Sequence, residues 1–332
     1  MTIRIAINGF GRIGRTVTRI ISERDDIELV AINDLTSPEQ LAYALKYDSI
    51  FGRMEGVVAE GDQLITPKFK ARVTAIKDPA EIDWASLNVD FVIESTGIFR
   101  KRAQIEPHLR GGAKRVLLSV PPKDALDATV VLGVNDAVLT GKEKLVSNAS
   151  CTTNCAAPLA KVLHEAFGIE KGFINTIHAY TNDQRLMDMP HSDWRRSRAA
   201  ALNVIPTSTG AAAAVGKVIP ELNGKLDGMA YRVPVPDGSV VDMVVQVGKK
   251  TNAEEVNAAF KKAAEGPLKG ILSYETDPVV SGDIIGNPHS SVFDSQLTQV
   301  LDGNFVKIVS WYDNEYGYSN RMVDLMLKLS NM

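Results

Sequence analysis

Little in this chain of 332 residues is in excess, and its shortages exclude a good deal. It has two cysteines, Cys151 and Cys155, four positions apart, which cannot build a disulfide framework. With no further Cys or nearby His at ligand spacing, they do not read as a metal site either. No apolar run is long enough to span a bilayer, so no membrane association is expected. A net charge of −3 and a pI near 6.0 give no electrostatic reason to bind nucleic acid. Met1 to Ile7 runs straight into a strand pattern with no basic-then-apolar leader, which makes a reducing cytoplasm the expected compartment. No repeat or low-complexity tract occurs. What is present, 45% hydrophobic and 23% charged residues, is the balance of a globular protein of one large or two ordinary domains.

The first half alternates strands and helices. Ile3 to Ile7 is an apolar strand, Asn8-Gly9-Phe10-Gly11-Arg12-Ile13-Gly14 follows, and Val17, Ile20 and Ile21 recur at helical spacing. G-x-G-x-x-G between strand and helix is the context in which the motif binds a dinucleotide. Gly9 permits the tight turn, Gly11 lets backbone approach a pyrophosphate, and Gly14 allows close helix–strand packing. The next strand, Leu29 to Ile32, ends in Asp34, twenty residues after Gly14. A carboxylate there accepts from ribose hydroxyls and repels a 2′-phosphate, favouring NAD over NADP. Further elements are expected as a helix at 37–47, short strands at 56–76, a strand at 89–94, a helix at 101–109, and strands at 115–120 and 129–134. That order predicts a parallel sheet covered on both faces, with ligands beyond the strands' carboxyl ends, where Asp34, Lys77, Thr96 and Ser119 fall.

The chain changes character at Ser147 to Cys155. Small polar residues lead into Ala156-Ala157-Pro158-Leu159-Ala160, placing Cys151 at or near a helix's first turn, where backbone N–H groups favour a thiolate. Pro158 suits an early turn. Taken alone, Cys151 reads more readily as a small buried residue. Phe173 to Tyr180 predicts a strand carrying His178, either a structural histidine or the partner a cysteine nucleophile needs. Residues 182–201 form a polar, basic loop too long for a simple connection, whose arginines suit phosphate or a subunit contact. Thr209 and Gly210 open an Ala-rich helix in the manner of an anion site. The strands at 230–235 and 240–247, joined through Pro236-Asp237-Gly238, read as antiparallel neighbours. Arg232 within the first of them needs a partner.

Four blocks, Asn8 to Arg15, Ser147 to Cys155, His178-Ala179-Tyr180-Thr181 and Trp311-Tyr312-Asp313-Asn314-Glu315, closely resemble the glyceraldehyde-3-phosphate dehydrogenases, and the likeness runs from the first strand to the last helix. The resemblance implies an α/β protein with a Rossmann-type parallel-sheet domain (1–150 and 314–332) and an α+β catalytic domain (151–313) with a largely antiparallel sheet. It implies NAD-dependent, phosphorylating oxidation of glyceraldehyde 3-phosphate by a homotetramer. Its catalytic pair would be Cys151 and His178. Gly9, Gly11, Arg12 and Ile13 would line the pyrophosphate, Asp34 the ribose, Lys77 the adenine side, and Ser119 and Asn314 the nicotinamide. Thr181 and Arg232 would hold the substrate's phosphate, Ser150, Thr209, Gly210 and Arg196 the attacking phosphate, and Thr152 would also be substrate-binding. Lys77, Val120 and Ala213 depart from the family's usual Arg, Ala and Lys. Dehydrogenation of erythrose 4-phosphate is the alternative within enzymes. The second apparent anion site argues for a phosphate-using reaction over one that releases acid.

Overall fold

A computed structural model describes residues 2–332, and the chain divides into two compact units. The first comprises 1–130, 136–149 and 319–332. Its strands are β1 (Ile3–Asn8), β2 (Ile27–Asn33), a small hairpin of β3 (Tyr47–Asp48) and β4 (Gly52–Arg53), β5 (Val58–Glu60), β6 (Gln63–Ile65), β7 (Lys70–Thr74), β8 (Phe91–Glu94), β9 (Arg115–Leu118), β10 (Ala128–Thr129) and β11 (Leu145–Ser147). Hairpin apart, they form one sheet in the order β10-β11-β9-β8-β1-β2-β7-β6-β5. The pairs from β10 to β7 are parallel; β5 and β6 add an antiparallel edge, which accounts for the short strands read at 56–76. Ile5, Ile7, Leu29 and Ile32 are wholly buried, as a sheet covered on both faces requires.

Helix α1 (Arg12–Ile21) lays Val17, Ile20 and Ile21 into this core, and α2 (Pro38–Lys46) is capped by the Ser37 hydroxyl, which accepts from Gln40 N–H. The helix expected at 101–109 is two single turns, α3 (Arg102–Ile105) and α4 (Pro107–Arg110), interrupted where Pro107 has no N–H to donate. The strand expected at 129–134 stops at Thr129. Beyond it the Asn135 side chain takes the Val131 N–H, and a turn replaces the ladder.

The second unit, 131–135 and 150–318, opens with α5 (Cys151–Phe167). Then come β12 (Ile169–Ala179), β13 (Ile205–Ser208), α6 (Ala211–Val218), β14 (Leu226–Val233), β15 (Ser239–Val247), α7 (Ala253–Glu265), β16 (Leu272–Glu275), β17 (Ser291–Leu301) and β18 (Phe305–Tyr312). Helix α8 (Tyr316–Ser330) closes the chain. The sheet order is β13-β14-β12-β15-β18-β17-β16, antiparallel except at β12–β14 and β16–β17. Strands β14 and β15 are therefore not neighbours. Strand β12 lies between them, and their connection crosses its end, where Tyr180 N–H donates to Val235 O (3.1 Å).

Pro158 is the eighth residue of α5, not part of its first turn. A proline inside a helix costs about 3 kcal/mol. Every residue from Thr152 to Ala160 is buried, however, and Leu159 and Leu163 alone contribute about 1.5–3 kcal/mol each. Packing outweighs the local preference.

Candidate active site

Three structural elements converge on Cys151. Ala149 adopts φ 56°, a left-handed conformation rare for residues other than glycine, and turns the chain into α5. Ser150 caps the helix, its Oγ accepting from Thr153 N–H at 3.1 Å, so Cys151 is the first helical residue. Strand β12 alternates, so Ile174, Thr176 and His178 share its buried face. The His178 Nε2 lies 3.4 Å from Cys151 Sγ. Strand β14 runs in register beside β12 and sets Arg232 directly opposite His178.

In the tautomer with Nδ1 protonated, the Ala179 carbonyl accepts from His178 Nδ1 at 2.7 Å and the Nε2 lone pair faces the sulfur. Arg232 Nη1 donates to the same carbonyl (3.1 Å) and stands 2.8 Å from Nδ1. Arg232 Nε is buried with no protein partner, a donor left over for an anion. Burial, reinforced by the Arg232 charge, drives His178 down to about 3, so the imidazole is neutral. Burial also pushes the Cys151 thiol up, against the opposing pull of Arg232 and first-turn N–H groups. Position at a helix start favours a thiolate, while desolvation opposes it and favours the thiol beside a neutral imidazole. Cys155 is wholly buried beside Ser291, its thiol pushed up to about 12.

Sequence reasoning missed the residue that braces this pair. Tyr312, at the end of β18, hydrogen-bonds Thr152 Oγ1 and Thr176 Oγ1, each at 2.8 Å, and sets its ring edge-on to His178 with centroids 5.8 Å apart. Its place just before Asp313-Asn314 was the available signal. Asn314 is also fixed: Ser239 Oγ donates to its Oδ1 at 2.6 Å and accepts from Ala179 N–H, leaving the amide Nδ2 as its donor face.

A second cluster collects residues named from sequence. Arg196 reaches the Ser208 carbonyl (3.5 Å), next to Thr209, whose hydroxyl accepts from Ala211 N–H at the start of α6. Gly210 leaves open space there. The Arg196 guanidinium is already paired with Asp183 and Asp193, so an anion would share it, and its charge helps lower His178. Thr181 starts the loop, half-buried, its N–H on Gln184 Oε1.

In the first unit the strand order β9-β8-β1-β2-β7 sets Ser119, Thr96, Gly9, Asp34 and Lys77 in a row along one sheet edge. Gly9 has φ +91°, and a Cβ on it would strike the Thr96 backbone. Gly11 faces open space and caps α1 without a side chain, so the helix start at Arg12 and Ile13 offers its N–H groups to a phosphate. The Arg12 guanidinium is held by Asp48 over the Phe51 ring; a pyrophosphate would meet its backbone instead. Asp34 accepts from Phe10 N–H (2.8 Å) and Thr36 N–H (3.1 Å), bracing the glycine loop with lone pairs to spare. Lys77 is exposed and Ser119 buried. Cradle, donors and carboxylate together fit a dinucleotide. Among the described residues no helix is long and apolar enough to cross a membrane, and no cluster could hold a metal ion.

Comparison with known proteins gives two matches to family models. Residues 3–102 match the glyceraldehyde 3-phosphate dehydrogenase NAD binding domain, and 150–314 match the C-terminal domain of the same family. Glyceraldehyde-3-phosphate dehydrogenase 2 of Streptomyces avermitilis is 57% identical over 334 residues, covering 100% of this chain and 99% of its own. The Streptomyces coelicolor enzyme is 56% identical with the same coverage, and that of Priestia megaterium 53% identical, with 98% of this chain and 97% of its own.

Proposed function

The chain belongs to the glyceraldehyde-3-phosphate dehydrogenase family, and from that premise we propose how its own residues divide the work. It is an NAD-dependent oxidoreductase of glycolysis that converts glyceraldehyde 3-phosphate and phosphate to 1,3-bisphosphoglycerate. Cys151 Sγ attacks the aldehyde carbon as its proton passes to His178 Nε2, 3.4 Å away, and returns to the new alkoxide to give a hemithioacetal. NAD, held by Gly9, Gly11, Arg12, Ile13, Asp34, Ser119 and Asn314, would supply the acceptor for the hydride of that carbon. As the thioester forms, His178 takes the hydroxyl proton; Arg232 at Nδ1 disfavours the imidazolium, so the proton does not rest there. N–H groups in the first turn of α5 stabilise the oxyanion. Phosphate then attacks the thioester, and the sulfur leaves and recovers its proton. Arg232 and Thr181 hold the substrate's phosphate. Ser150, Thr209, Gly210 and Arg196 hold the attacking one. Residues 1–150 and 314–332 bind the cofactor, with Asn314 Nδ2 donating to its carboxamide. The observation that carries this reading is the contact between a helix-start thiol and an imidazole flanked by an arginine with an unfilled Nε.

NADH formation tests it. With phosphate, turnover is sustained. Without phosphate, a burst of about one NADH per subunit is expected, since the thioester accumulates. NADP in place of NAD should lower kcat/KM by about 10²-fold or more, because Asp34 repels the 2′-phosphate. Turnover indifferent to phosphate would favour an acid-releasing aldehyde dehydrogenase.

A cytoplasmic homotetramer is part of the same proposal. Both cysteines are free, and the loop after Thr181 exposes Leu186, Met187, Met189, Trp194, Leu202 and Val204, apolar side chains that a subunit contact would cover. Light scattering should give four times the 36.0 kDa chain mass, and Trp194→Glu should shift the population to smaller species. A monomer of wild-type chain would refute the assembly.

A further inference from the structure

The connection that crosses the end of β12 carries a carboxyl group that the mechanism leaves unused. Asp237 is 1% exposed, and neither of its oxygens receives a well-formed hydrogen bond. The β15–β18 register pairs Ser239 with Tyr312, which brings Asp313 alongside the Asp237 turn. Asp313 is also 1% exposed, and its own oxygens are occupied: Oδ2 accepts from Gly286 N–H (2.7 Å), and Oδ1 from Glu315 N–H (2.8 Å) and Tyr316 N–H (2.6 Å). The turn cannot easily swing away. Gly238 has φ +82°, and a Cβ there would run into the Ser281 carbonyl. Two residues past Asp237, Ser239 holds the Asn314 amide.

Two bare carboxylates in contact inside a protein repel too strongly for both to ionise. Three backbone N–H donors stabilise a charge on Asp313, and none does so on Asp237. The geometry points to Asp237 as a positioning residue that stays protonated at neutral pH and donates its O–H to the Asp313 carboxylate, clamping the segment from Asp313 to Tyr316 so that Asn314 is aimed. This rests on the reading of Asn314 given above. The charges bearing on Asp237 are those of Asp313 and Glu315, both acidic; with burial, they lift its carboxyl to about 9, against a minor pull from the Gly238 N–H. Asp283, on the turn that Gly238 abuts, points its carboxylate at Val280 N–H.

The sign of the pH effect follows. A carboxyl raised in the folded state holds a proton that the unfolded chain releases from about pH 4 upward, so folding loses stability as pH climbs from there to about 9. Asp237→Asn keeps the donor without the titration. In melts of the NAD-free protein, the Tm of D237N minus that of wild type should widen steadily from pH 5 to 9 and then level off, while D237A, with no donor, should melt below D237N throughout. The dissociation constant for NAD of wild type should rise above pH 9 by up to tenfold per pH unit and that of D237N should not. A Tm difference that does not change with pH means Asp237 is ionised in the fold and overturns the proposal. So does a difference abolished by added calcium or magnesium, which would mean a bridging cation. If Asn314→Ala leaves NAD affinity intact while the Tm difference widens as described, the reading of Asn314 fails and the shared proton stands.

Discussion

Cys151→Ser is expected to lower kcat by on the order of 10⁴–10⁶-fold, the range seen when a nucleophile that acts as one unit with its base is removed. Oxygen and sulfur differ little in volume, and Cys151 is only half-buried, so the fold should be untouched. What changes is chemistry. An alcohol gives up its proton far less readily than a thiol, and His178 is too weak a base, at about 3, to compensate. A serine ester would also be a poorer acyl donor to phosphate than a thioester. Binding of NAD should persist, because the glycine loop, Asp34 and Ser119 lie in the other unit. Cys155→Ser is the matched control: its sulfur is wholly buried against Ser291 and kept protonated, so turnover should survive with a change in Tm alone. Turnover of C151S within tenfold of wild type would remove Cys151 from the nucleophile's role.

The parts of this site that were legible from sequence are those dictated by local backbone. Gly9 is read correctly because its left-handed φ and close approach to Thr96 forbid a side chain, whatever the rest of the chain does. His178 is placed on a strand because alternation of period two is a local property, and the same alternation puts Thr176 beside it. Pairing is not local. The run 240–247 alternates cleanly, yet nothing in it says that β12, about sixty residues earlier in the chain, separates it from β14. The apolar residues at 130–134 mimic a strand, but the chain is satisfied there by the Asn135 side chain. Pro158 is tolerated inside α5 because packing around it repays the missing bond. The brace from Tyr312 to Thr152 joins positions 160 apart, and the pairing of Arg196 with Asp183 depends on how the loop closes. A charged side chain's availability is decided by such contacts, not by its type.

His178→Asn is expected to lower kcat by about 10²–10⁴-fold, the usual contribution of general acid–base help. Asparagine can still donate to the Ala179 carbonyl, but it presents no lone-pair nitrogen to Sγ. The variant should therefore fold and bind NAD while losing the acceptor for both the thiol and the hydroxyl proton. Alkylation of Cys151 by iodoacetamide isolates the first of these. With the base gone, only direct ionisation produces the nucleophile. Because burial holds the thiol above its ordinary value, the rate at pH 7 should fall and then climb about tenfold per pH unit through the alkaline range. Stability supplies an independent check. A histidine lowered to about 3 is neutral in the fold, while the unfolded chain takes up a proton below about pH 6.5. The wild type thus loses stability as pH falls from 6.5 to 3, and H178N should lose less over that window. The same depression means that kcat/KM should show no acid limb from His178 between pH 6 and 7. A limb there that H178N abolished would show that the imidazole is charged in the free enzyme, and would make the resting state an ion pair, not the neutral couple that burial and Arg232 favour.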